Sequence, residues 1–328
     1  MNLDSKIYVA GHKGLVGSAL IRYLNSHGYK NIIMSRFNQI DLRNQSDVIK
    51  FFEKERPEYV FLAAAKVGGI KANSDYPAQF IYDNLMIQSN IIHNSYKFGV
   101  KTLLFLGSSC IYPKNCFQPI KEEYLLSGLL EPTNEYYAIA KIAGLKMCEA
   151  YNKQYGTNFI SCMPTNLYGP NDNFDLESSH VLPALIAKFY KAKEENLKEV
   201  VIWGSGKPMR EFLFVEDLAE ALIFLMKNYS ENSPINIGVG KDITIFDLTK
   251  LIRDLIGFKG ELVFDSTKPD GTSKKILDVS KMNKLGWQAK TSLKDGILKT
   301  IEWYEQNKQK GNSCNFRVKK NDQRMVTG

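Results

Sequence analysis

Three glycines at intervals of three, Gly11, Gly14 and Gly17, separate the apolar run Lys6-Ile7-Tyr8-Val9-Ala10 from Leu15, Val16, Ala19, Leu20 and Leu24, which recur at helical spacing. A short buried strand that passes through a glycine turn into an amphipathic helix leaves few folds open to a chain. Glycine allows a tight turn and a close approach of backbone to ligand, and the first-turn amides of the helix suit a pyrophosphate. Three glycines alone are a weak signal, and it is the strand before and the helix after that strengthen it. His12, Lys13, Leu15 and Val16 are expected to line the same turn.

The alternation continues. Asn31 to Ser35, Glu58 to Ala63, Lys101 to Gly107 and Phe159 to Met163 read as strands. Ser46 to Glu55 reads as a helix that stops before Pro57, and Pro77 to Phe98 and Asn134 to Tyr155 read as long helices. Val-, Ile- and Leu-rich strands alternating with helices predict an α/β fold, a Rossmann-type doubly wound parallel sheet whose ligands lie beyond the carboxyl ends of its strands. After Pro164 the pattern loosens. Val181 to Lys193, Leu248 to Ile256 and Leu293 to Gln306 read as helices, and Val200 to Trp203 and Pro234 to Gly238 as strands. The expected organisation is a dinucleotide-binding domain over 1–163, to which 211–245 partly returns, then a smaller C-terminal substrate-binding lobe over 164–308. A basic, disordered tail is expected over 309–328.

Charge narrows the partners. The net charge is +8, and residues 310–328 carry Lys310, Arg317, Lys319, Lys320 and Arg324 against Asp322 alone. The rest of the chain is therefore only mildly basic, which suits anionic small molecules and gives no nucleic-acid surface. No apolar run is long enough to span a bilayer, and the polar start leads straight into a strand, so a cytoplasmic protein without a membrane partner is expected. Five cysteines, an odd number without zinc or thioredoxin spacing, read as free thiols, and no metal site is expected.

The end of the second strand bears on the cofactor. Ser35-Arg36-Phe37-Asn38 has no carboxylate for an adenosine ribose and offers Arg36 to a 2′-phosphate, so NADP(H) is favoured over NAD. Tyr137-Ala138-Ile139-Ala140-Lys141 puts a phenol and an ammonium on one helix face. The ammonium is expected to lower the phenol pKa toward the working pH, so that Tyr137 can exchange a proton with a carbonyl oxygen during hydride transfer. Tyr-x-x-x-Lys is common by chance. With the glycine turn upstream and Ser108-Ser109-Cys110 after the fourth strand, the three features become specific.

Together they resemble the extended short-chain dehydrogenase/reductase family. Longer blocks resemble one group within it, the GDP-L-fucose synthases: Ala63 to Ile70, Leu106 to Pro113, Glu131 to Glu135, Met163 to Pro170, Pro208 to Phe212 and Lys268 to Thr272. The resemblance runs from about Lys6 to Gln306. It implies conversion of GDP-4-keto-6-deoxy-D-mannose to GDP-L-fucose by epimerisation at C3 and C5, then NADPH-dependent reduction at C4. It gives Ser108, Tyr137 and Lys141 to the reduction, and Cys110 and His180 to the proton transfers of epimerisation. A thiol and an imidazole can both exchange protons near neutral pH. It further places Asp41, Leu42, Ala64, Ala65, Lys66, Leu106, Gly107, Pro164, Thr165, Asn166, Leu167 and His180 by the cofactor. Lys188, Trp203, Arg210 and Asp270 fall to the GDP-sugar, with Lys188 standing where some relatives carry arginine. It also implies a homodimer joined through the two long helices.

Rival readings differ in what they require. A 4,6-dehydratase should follow its serine or threonine with Asp-Glu, where this chain has Cys110-Ile111. A UDP-sugar 4-epimerase should retain NAD, against Arg36. A 4-reductase of a related GDP-4-keto sugar such as a 6-deoxy-heptose, with or without epimerase activity, fits the same motifs. A non-catalytic NADP-binding protein would commonly lack Tyr137 or Lys141.

Overall fold

The computed structural model describes residues 1–35, 40–176, 178–268 and 270–309. Arg36 and the tail beyond 309 lie outside them. Strand β1 (Ile7–Ala10) is wholly buried and turns into helix α1 (Leu15–Ser26). There follow β2 (Ile32–Ile33), α2 (Gln45–Glu55), β3 (Tyr59–Leu62), the short α3 (Ile70–Asp75), α4 (Pro77–Lys97), β4 (Thr102–Leu106), α5 (Glu135–Tyr155) and β5 (Phe159–Pro164). The second half runs β6 (Asn166–Tyr168), α6 (Val181–Glu194), β7 (Glu199–Trp203), β8 (Met209–Phe214), α7 (Val215–Asn228) and β9 (Ile235–Ile237). It ends with β10 (Asp242–Thr244), α8 (Ile245–Ile256), β11 (Glu261–Asp265), β12 (Lys274–Lys275), α9 (Ser280–Lys284) and α10 (Leu293–Gln309).

Six strands form one parallel sheet in the order β2-β1-β3-β4-β5-β9. The chain steps from β1 outward to β2, then builds from β3 in the other direction. The reversal opens a crevice beyond the carboxyl ends of β1 and β3, where Ala10 and Leu62 are register partners. Side chains alternate across the sheet. Val9, Phe61, Leu104 and Ile160 pack with Leu20 and Leu24 of α1 and Leu218 and Leu222 of α7. Tyr8, Val60, Leu103 and Phe105 pack on the other face with Phe52, Ile91, Ile92 and Leu145 from α2, α4 and α5. Because both faces are covered, the central strands are apolar but for Thr102 and Ser161, which is why they read as nearly continuous apolar runs.

A third core joins Phe189, Leu248, Ile252, Phe258 and Ile297 beneath the β7–β11 pair. The β10-β8-β12 ladder and β6, which pairs with β8, connect this region to the main sheet. Glu211 of β8 is fully buried at that junction. Its carboxylate accepts the backbone N–H of Val239 (2.5 Å), Gly240 (2.7 Å) and Leu277 (2.9 Å). Strand β2 is shorter than its sequence suggests: only Ile32 and Ile33 pair, with Ile7 and Tyr8, at the sheet edge.

Candidate active site

The glycine turn fits a pyrophosphate. Gly11 has φ of +86°, and a Cβ there would lie 2.7 Å from the Ala64 nitrogen, so the exits of β1 and β3 touch. A Cβ on Gly17 would lie 2.1 Å from the Gly11 carbonyl oxygen, so α1 descends directly onto the turn. Gly14 opens α1 with no side-chain cap and no acidic residue in the first turn, which leaves the leading amides and the helix dipole to an anion. Asp41 is engaged by Arg43, whose Nε and Nη2 donate at 3.0 and 2.8 Å and hold the carboxyl below its ordinary pKa. Leu42 packs into the core beside α2 and α4.

At the end of β4, the Gly107 N–H donates to Cys162 O (2.8 Å), and Ser108 caps the single 3-10 turn Ser109–Ile111. Ser108 Oγ accepts the Cys110 N–H at 3.2 Å and lies close enough to the Tyr137 phenol to lower its pKa. Tyr137 stands in the first turn of α5, edge-on to Phe80 at 6.4 Å between centroids. Lys141, one turn further, is buried. Its Nζ donates to Leu106 O at 2.8 Å and lies 5.9 Å from the Tyr137 ring centre. The expectation that the ammonium lowers the phenol pKa is overturned here. Burial pushes the Tyr137 phenol well above its ordinary value and pushes Lys141 down to about 8. Loss of solvent dominates the phenol, and Lys141, whose Nζ turns to a carbonyl oxygen, is not among the groups that lower it. A phenol so held stays protonated, as a proton donor must.

The Cys110 sulfur receives two donors, Asn134 Nδ2 at 3.2 Å and Lys275 Nζ at 3.8 Å. Asn134 precedes α5, and its Oδ1 is buried without a hydrogen-bond partner among the described residues. Glu131 accepts from Thr133 Oγ1 and Thr272 Oγ1, each at 3.3 Å, and pairs with Lys114 at 3.1 Å. Arg210 is anchored to Met209 O (2.8 Å) and reaches Asp270 O (3.4 Å). Cys110, Asp270 and Glu131 all act on its charge electrostatically, while burial lowers its pKa. The Asp270 carboxylate accepts the Ser205 N–H and hydroxyl, both at 2.7 Å, and so shapes the turn after β7.

His180 opens α6. The Gly69 N–H donates to Ser178 O at 3.1 Å, and a Cβ on Gly69 would come 2.8 Å from Ser179 O, so the loop after β3 carries the His180 segment against the crevice. His180 keeps accessible surface on its open side. The protein crowding it elsewhere desolvates the imidazole and lowers its pKa. Trp203 is 53% exposed, which excludes a core role, and Lys188 and Lys268 hold ammonium groups 5.4 and 5.7 Å from its ring centre. Thr165 is buried with its hydroxyl donating to Glu211 O at 3.3 Å, while Asn166 Nδ2 donates to the same oxygen at 2.8 Å.

The sequence-derived residues thus fall into three groups: the glycine turn with Ala64, the Ser108–Cys110–Tyr137 cluster facing Arg210, and Trp203 with Lys188 farther out. Asn134, Lys275 and Glu131 belong to the second group and were not singled out by motif. Asn134 stands three residues before Tyr137 inside a block the sequence already marks. Lys275 has no local signal, because β12 brings it across 165 residues to Cys110.

Residues 7–238 match the model of the NAD dependent epimerase/dehydratase family. GDP-L-fucose synthase 1 of Arabidopsis thaliana is 57% identical over 304 residues, 93% of this chain and 94% of the relative. A GDP-L-fucose synthetase from Naegleria fowleri bound to NADP superposes with a TM-score of 0.88 at 34% identity, covering 95% of this chain and 97% of that one. A GDP-mannoheptose C4 reductase from Campylobacter jejuni with NADP bound superposes at 0.85 with 46% identity, covering 93% and 99%.

Proposed function

The chain belongs to the NAD dependent epimerase/dehydratase family, and from that premise we propose that it converts GDP-4-keto-6-deoxy-D-mannose to GDP-L-fucose. The observation that carries this reading is the convergence of Ser108, Cys110 and Tyr137 on one point, with two donors on the thiol and Arg210 nearby. The glycine turn and the uncapped start of α1 would hold the pyrophosphate of NADP(H), which when bound would supply hydride to C4.

C3 and C5 both flank the C4 ketone, so removal of either proton gives an enolate. Inversion requires one group to take the proton and another to return one on the opposite face. Cys110 and His180 fill these roles. Protein crowding on one side of His180 lowers its pKa, which favours the neutral imidazole that can accept a proton. Asn134 and Lys275 steady charge developing on the Cys110 sulfur. Composition is unchanged over this stage. In the reduction, Tyr137 gives its proton to the C4 oxygen while Ser108 donates a hydrogen bond to it, stabilising the charge that develops. The Arg210 fork suits the diphosphate, and Trp203, flanked by two ammonium groups, offers a face to the base. The working thiol and the reduced cofactor both suit the cytoplasm, where we place the protein. We also propose a homodimer through α4 and α5.

A second reading is C4 reduction of a GDP-4-keto-heptose, favoured by the likeness to the GDP-mannoheptose C4 reductase. Incubation with GDP-4-keto-6-deoxy-mannose and NADPH in D₂O separates the two. NADPH loss at 340 nm with deuterium at C3 and C5 by NMR is the expected result. Loss without deuterium means a simple 4-reductase, and no loss redirects the search to the heptose.

A further inference from the structure

We propose that Asp83, on α4, is a positioning residue that locks together the two loops forming the adenosine side of the cofactor crevice. This rests on the reading of that crevice as an NADP(H) site. The segments follow β2 and β3, and their described residues, 40–44 and 63–69, share no strand pairing with each other. Arg43 from the first and Lys66 from the second meet on one carboxylate: Arg43 Nη1 lies 3.2 Å from Asp83 Oδ1, and Lys66 Nζ lies 3.3 Å from Oδ2. Each oxygen takes one cation. Arg43 is held on its other side by Asp41, and Lys66 by Gln79.

Neighbouring residues of the same helix fix the backbone of both loops. Asn84 accepts the Lys66 N–H and donates to Lys66 O, both at 3.0 Å, which fixes that peptide from both sides. Six residues on, Asn90 Nδ2 donates to Leu42 O at 2.9 Å. A continuous helix thus carries contacts to each loop, and among the described residues Asp83 pairs with a cation from each. The Asp83 side chain is 14% exposed, so its two ion pairs are screened far less than surface pairs are. Without the carboxylate, Arg43 keeps Asp41, Lys66 keeps Gln79 and both loops stay tied to α4 through Asn84 and Asn90, but the link between the two cationic side chains is lost. The two carboxylates balance the two cations, so what Asp83 contributes is geometry: both side chains are fixed before any ligand arrives, at no reorganisation cost on binding.

The test is Asp83→Asn in the full chain, which keeps size and removes charge. Titration of NADPH fluorescence, without sugar, is expected to show Kd raised about tenfold. Deuterium wash-in at C3 and C5, run without NADPH, reads the Cys110 region, which Asp83 does not touch, and is expected to stay near the wild-type rate. A Kd within twofold of wild type overturns the proposal. So does a parallel fall of affinity, exchange and melting temperature, which would make Asp83 a folding residue only. If the wild type itself shows no exchange, the sugar assignment fails, while the NADPH titration still decides the role of Asp83.

Discussion

Tyr137 and Lys141 show how far environment redirects a motif. Spacing places both on one face of α5, but the ammonium turns to Leu106 O and burial sets both pKa values. Tyr137→Phe removes the proton donor and leaves the cavity filled. Reduction is expected to fall by about 10²–10⁴-fold, with C3/C5 exchange retained, as single-turnover NADPH oxidation and NMR will show. The pH dependence follows from Lys141. Its pKa is depressed to about 8, so the cation is present below that value and lost as pH rises through it. Hydride arrival builds negative charge on oxygen that a nearby cation stabilises. NADPH oxidation is therefore expected to decline above about pH 8, and C3/C5 exchange is not expected to follow the same titration. Cys110→Ser has the opposite selectivity: it should abolish exchange and leave C4 reduction measurable. Exchange at the wild-type rate in that variant would remove the thiol from the mechanism. Sequence alone marks Ser108, Cys110, Tyr137 and Lys141 because short motifs carry them. It misses Asn134 and Lys275 as partners of the sulfur, since each contact depends on how distant segments close.

At the scale of elements, β8 connects the β10-β8-β12 ladder to the main sheet through Glu211. In Glu211→Gln, one side-chain oxygen can still accept Val239 and Gly240, but the new amide faces the Leu277 N–H, donor against donor. A buried unsatisfied donor costs about 1–3 kcal/mol. The variant should lose about that much in urea unfolding, whereas Thr244→Val at the exposed start of α8 should lose only an N-cap, about 1 kcal/mol. The main-sheet strands are legible because burial on both faces makes them largely apolar, with Thr102, Ser161 and Asn236 as the buried polar exceptions. Strand β8 and helix α7 are not, because Phe212-Leu213-Phe214-Val215 runs from one into the other without a turn residue. Helix α3 is six residues long, too short for a period to show. Strands β10 and β12 have three and two residues and exist by pairing with β8, which no local pattern encodes.

At the scale of the molecule, α4 and α5 are tightly packed on each other and cover one face of the sheet, yet carry much exposed apolar surface. Tyr82 is 60% exposed, Tyr136 48%, Tyr155 45% and Ile139 39%. Tyr96 stacks on Tyr155 at 4.1 Å, and Tyr151 hydrogen-bonds His93 at 2.8 Å, so the aromatic ridge is already ordered within one chain. Two such helix pairs related by a two-fold axis would bury these side chains as a four-helix bundle, the same patch serving both subunits. An interface of this kind should remove at least about 1,000 Å² from water. Light scattering at micromolar concentration is expected to give twice the chain mass. Ile139→Glu places two carboxylates in the buried seam and should shift the protein to monomer. Because Tyr137 and Lys141 lie on the same helix and α4 carries the Asp83 contacts, that monomer should also bind NADPH more weakly than the dimer. A wild-type chain that scatters as a monomer would dismiss the two-fold bundle and leave the aromatic ridge without a partner.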